Sequence, residues 1–162
     1  ELHPEIPRGG KSVRPGGRLD QVFASIGAEC DSLSIPFCAP RRVPNTHHVL
    51  EVSEVVRRHT PEAFAAFDES LAAAMWVDGQ DLGDRDLIDE LIRRAGAAPD
   101  TVRDLVAEGA GTRALEASMR QAREHGVMAT PAWWVDDRLL IPGAQPRETI
   151  TRWVTRMQRT ST

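Results

Sequence analysis

The alternation of apolar and polar residues has two regimes along this chain, with the change near Gly126. Between residues 46 and 125 the apolar positions recur every three or four residues, the mark of helices that bury one face. Val49, Val52, Val55 and Val56 form one stripe behind Thr46, a residue able to cap the helix. Thr60-Pro61 starts a second helix, with proline at the first position, where a missing N–H costs nothing. Its stripe is Phe64, Phe67, Leu71 and Met75. Asp84 opens a third, carrying Leu87, Ile88, Leu91 and Ile92 and stopping at Gly96. Pro99 begins a fourth with Val102, Leu105 and Val106 inside, and Thr112 a fifth through Leu115, Met119 and Ala122 to Gly126.

Upstream, "RGGKSVRPGG" and "CAPRRVPN" read as loops. Leu19, Val22, Phe23 and Ile26 between them predict a helix stopped by Gly27, and "ELHPEIP" alternates weakly, as the end of a strand does. After Gly126 the period falls to two. "PAWWVDDRLLIPGAQ" predicts a hairpin turning at Asp136-Asp137, with Trp133 and Trp134 packed into the core on opposite faces. Pro146 opens a last helix with Glu148 in its first turn and Ile150, Trp153, Val154 and Met157 on its inner face.

Composition narrows the functional classes. The chain has 162 residues, 41% hydrophobic and 27% charged, with a net charge of −4, a globular profile with no basic footprint for nucleic acid. No apolar run approaches the ~18 residues of a membrane span. Arginine supplies the cations almost alone, Lys11 being the single lysine. Two cysteines, Cys30 and Cys38, suit a reducing compartment, and a cytoplasmic location is expected. They are either a redox-active pair or two unlinked thiols packing as small apolar groups. With His47 and His48 they match no common zinc spacing, so no metal is expected. Arg41-Arg42, Arg57-Arg58 and Arg93-Arg94 read as solvated faces, and His3, His59 and His125 as lone residues.

Three phrases together, "ELHPEIP", "PNTHH" and "GVMATPAWWVDDRLLIPGAQP", resemble the DsbA-like thioredoxin-fold family. The branch they resemble contains FrnE-type oxidoreductases and 2-hydroxychromene-2-carboxylate isomerases. The resemblance implies an α/β thioredoxin-like fold in one domain over 1–162, with 1–44 and 126–162 forming the thioredoxin-like part and 45–125 a helical insertion. It implies a cis peptide before Pro131 and a substrate-binding surface of Ala129, Thr130 and Pro131 with Asn45, Thr46 and His48. The implied activity is thiol–disulfide exchange with a protein or peptide substrate. Alternatives are a glutathione-dependent isomerase or transferase, with glutathione as co-substrate, and a redox-inactive peptide-binding module. No other cofactor is implied.

The sequence departs from this pattern at its start. The family's first strand and C-x-x-C helix have no counterpart, so the fold is expected to be N-terminally truncated and the exchange activity weak or lost. In that fold the first strand lies mid-sheet, and its lack leaves unpaired edges. A homodimer, strand-exchanged at that gap, is the expected repair.

Overall fold

The computed structural model describes residues 6–128, 130–135 and 139–160. The turn at Asp136-Asp137, Ala129, His3 and most of "ELHPEIP" lie outside the described residues. Eleven elements follow one another: β1 (Lys11–Ser12), α1 (Arg18–Ser32), β2 (Arg42–Val43), α2 (His47–His59), α3 (Pro61–Trp76), α4 (Arg85–Arg94), α5 (Pro99–Ala107), α6 (Ala110–Glu124), β3 (Ala132–Val135), β4 (Leu139–Pro142) and α7 (Arg147–Thr160). The chain divides into two compact units, Glu1–Glu116 and Ala117–Thr162.

The first unit is organised around the helices whose stripes are plain in the sequence. α2 packs on α3 and α5, and α4 on both of these. Val52, Val55, Val56, Phe67, Ile88, Ile92 and Val102 form its centre, each no more than 3% exposed. Phe64, Leu105 and Val106 sit at the edge of this cluster and are only partly buried. The expectation that the last two are core residues is corrected accordingly. Pro61 takes the first turn of α3, and the Asp84 carboxylate caps α4 by accepting from the Asp86 N–H at 3.0 Å. Gly96 ends α4 with φ +92°, a conformation that L side chains rarely adopt. On the outer faces Arg57 and Arg58 pair with Glu54, and Arg93 and Arg94 with Glu90, one turn away.

Three local expectations give way to the structure. Gly27 does not stop α1, which runs on to Ser32 through Ala28, Glu29 and Cys30. The Phe37 ring lies where a Gly27 Cβ would meet it at 3.5 Å. The two stretches expected to be loops each contribute two residues to an antiparallel ribbon, Lys11 opposite Val43 and Ser12 opposite Arg42. Both Lys11 and Ser12 are exposed. α6 starts at Ala110, two residues before Thr112. Of the α1 stripe only Phe23 is buried, set edge-on against Trp76 at 6.1 Å, while Val22 and Ile26 stay 45% and 39% exposed.

In the second unit β3 and β4 form a hairpin in which Trp133 faces Ile141 and Trp134 faces Leu140. Ile141 is buried, but Trp133 and Trp134 are 56% and 38% exposed. The expected burial of both rings therefore fails. Among the described residues β3 has β4 as its sole strand partner. Trp134 lies instead against His125, 4.6 Å between ring centres with the rings tilted by 31°. α7 keeps Ile150, Trp153 and Met157 partly buried and leaves Val154 exposed.

Candidate functional site

Asn45 organises the entrance to α2. Its Oδ1 accepts from the His47 N–H at 3.0 Å, and its Nδ2 donates to the Ile6 carbonyl at 2.9 Å. The capping role expected of Thr46 thus belongs to Asn45, since Thr46 makes no side-chain cap hydrogen bond. Two bonds from one amide tie the 6–8 segment to the first turn of α2 and bring Arg8 beside it.

A cleft of about 490 Å³ opens there, lined by Arg8, Asn45, His47, His48, Glu51, Gly83 and Arg85. Glu51 is held on both oxygens. Thr112 Oγ1 donates to Oε1, and His47 Nδ1 lies 3.5 Å from Oε2. Arg8 and Arg85 have no ion pair among the described residues. Arg85 is also the first residue of α4. The positive end of the helix dipole disfavours a cation there by about 0.3–1 kcal/mol. Sequence reasoning found Asn45 and His48 and missed both arginines. The visible signal for Arg85 was a cation placed directly after the cap residue Asp84.

Burial lowers the His48 pKa below 6.5, helped by the nearby Arg85 charge, and these outweigh the raising effect of Glu51 and Asp89. Unfolding restores the ordinary value, so the unfolded chain binds more protons between the lowered folded pKa and 6.5. This contribution to stability is complete above pH 6.5 and is lost as pH falls through the folded value. Urea midpoints of the wild type and His48→Asn between pH 5 and 7.5 check it. The wild type should gain stability with rising pH more steeply, and identical slopes would contradict this.

Thr130 and Pro131 lie in the second unit, both exposed, with a cis peptide between them. The Pro131 carbonyl accepts from the Gly143 N–H at 2.8 Å, which anchors the start of β3 to the end of β4. Among the described residues Thr130 has no hydrogen-bond partner.

Cys30 and Cys38 are both free, Cys30 partly buried on α1 and Cys38 exposed. The chain folds back after α1. The Cys30 carbonyl accepts from Leu33 and Ile35, and Phe37 reaches Gly27, one turn before Cys30. Cys38 is fixed by its N–H to the Trp76 carbonyl at 2.7 Å, and its Sγ sits 2.8 Å from where a Gly79 Cβ would be. Among the described residues no cluster of His, Cys, Asp or Glu is arranged to hold a metal ion. Nor is any of their helices long and apolar enough to cross a membrane.

A mixed fold dominated by helices, closed by a β-hairpin that enters through a cis-proline and followed by a last helix, is the class of fold to which thioredoxin-like domains belong. Residues 11–154 match the DSBA-like thioredoxin domain family, and the chain belongs to that family. None of the curated proteins matches it.

Proposed function

We propose that the chain works as a thiol–disulfide oxidoreductase of the FrnE-type branch, taking an extended segment of a protein substrate along the edge of β3. The family match over residues 11–154 carries this reading. The exposed Thr130 and the edge of β3, which has no further strand among the described residues, support the mode of binding. The same edge suits strand exchange with a second copy, and the two free thiols suit the reducing cytoplasm.

The 162 residues contain no C-x-x-C, so exchange by this chain alone falls to Cys30 and Cys38. The exposed Cys38 thiolate attacks a substrate disulfide, forming a mixed disulfide and releasing one substrate thiolate. Cys30 then attacks the mixed disulfide, freeing the second substrate thiol and leaving a Cys30–Cys38 disulfide. Added dithiothreitol reduces that bond and restarts the cycle.

Insulin reduction with dithiothreitol tests the proposal. The wild type should give a slow rate above reductant alone, lost in both Cys30→Ser and Cys38→Ser. A wild-type rate equal to that of reductant alone, or one unchanged in both variants, would sink it. A glutathione-dependent isomerase is the second reading. It is favoured by the presence of Asn45 and His48 in one cleft with two arginines that have no ion pair among the described residues and complement the two carboxylates of the tripeptide.

A further inference from the structure

We infer that the Arg8–Arg85 cleft is a binding site for the phosphate group of a small phosphorylated metabolite. The inference is independent of the thiol chemistry, since neither cysteine lines the cleft.

Charge carries the first part of the argument. Arg8 and Arg85 bring two permanent positive charges to one cavity, and neither is neutralised by a carboxylate among the described residues. The third charged wall, Glu51, is already engaged by Thr112 and His47. Glu51 keeps its negative charge, so the two guanidinium groups leave the cleft with a net positive charge, and the planar guanidinium fork suits phosphate oxygens.

Placement carries the second part. Arg85 occupies the first position of α4, where the helix's own field opposes a cation, and a bound anion reverses that penalty. His48 lines the same cavity and offers a ring nitrogen, while Asn45 is locked by its bonds to His47 and Ile6. Asn45 and Glu51 are therefore held in place before a ligand arrives.

Size carries the third. A cavity of about 490 Å³ far exceeds a bare phosphate ion, and it continues on both sides. Past Asn45 and Gly83 it meets a smaller recess of about 170 Å³ at Gly9, Gly10 and Arg42. Past His48 and Arg85 it meets a groove of about 470 Å³ that includes Val52, Ile92, Val102 and Val106. The rest of an esterified phosphate has a small polar recess on one side and, on the other, a groove of mixed character in which Asp89, Arg103 and Asp104 stand beside the apolar residues.

The test is calorimetric titration of the chain with inorganic phosphate, phenyl phosphate, succinate and glutathione. Phenyl phosphate should bind more tightly than inorganic phosphate, and both more tightly than succinate. Arg85→Gln and Arg8→Gln should each weaken phenyl phosphate binding about 10-fold or more, the loss of a charge-assisted hydrogen bond. Arg85→Lys keeps the charge and loses the fork, so intermediate weakening is expected. Both arginines stand at the surface, and unchanged circular dichroism in the variants confirms intact folding. No saturable phosphate binding, or binding equal in wild type and Arg85→Gln, overturns the proposal. Equal affinity for succinate also overturns it, because the cleft would then read charge alone. Glutathione binding without phosphate binding overturns it in favour of the isomerase reading.

Discussion

Phe67→Ala is expected to cost about 3–5 kcal/mol of stability, the range for emptying a large aromatic site in a core. Phe67 is fully buried near the middle of α3, among the side chains of the α2–α5 cluster. That cluster holds fifteen of the twenty buried apolar residues described in the chain. A domain of this size has a total stability of only about 5–15 kcal/mol. The variant should therefore melt roughly 6–20 °C below the wild type. A thermal melt followed by circular dichroism at 222 nm, about the usual helix wavelength, reads the change directly. A loss below about 1 kcal/mol would mean that the helices do not close around this ring.

Glycine-to-alanine substitutions should have opposite signs at two helical positions. At Gly111 an added Cβ would sit 2.8 Å from the Glu51 Cβ and 2.9 Å from the Glu51 carbonyl oxygen. The backbone of α2 cannot yield as a flexible side chain can, so α2 and α6 must separate. Overpacking of this kind costs about 1–3 kcal/mol and outweighs the gain in helix propensity of about 1 kcal/mol. At Gly27 the new Cβ would lie 3.5 Å from the Phe37 ring, an ordinary contact, inside α1. There the propensity gain should win, stabilising the chain by about 0.5–1 kcal/mol. Denaturant midpoints of the two variants check both signs. A stabilised Gly111→Ala would show that α2 and α6 do not approach as described.

These two positions also show what a sequence can reveal. The stripes of α2, α3 and α4 are periodic, so Val52, Phe67 and Ile88 declared their burial before any coordinates. The ribbon of β1 and β2 is two residues long on each side, too short to display a period. The Gly111–Glu51 approach depends on residues sixty positions apart, and nothing local marks it. Part of the candidate site was legible in the same uneven way. Asn45, His48, Thr130 and Pro131 stood out through the family's phrases. Arg8 and Arg85 line one cavity because Asn45 ties Ile6 to α2 while α3 and α5 hold both α2 and α4. The tryptophans misled for a related reason. Alternation assigns opposite faces to Trp133 and Trp134, yet it cannot say whether another layer covers either face.

The position of Lys11 in β1 has a practical consequence. It is the one ε-amine in the sequence, and it is exposed on a short ribbon. Acylating dyes, amine cross-linkers and enzymes that modify lysine side chains all meet a single address within these residues. The remaining nineteen cations are guanidinium groups, Arg8 and Arg85 among them. They keep their charge through such treatment. A fluorophore on β1 would thus report from the first unit while leaving the cleft's arginines chemically untouched.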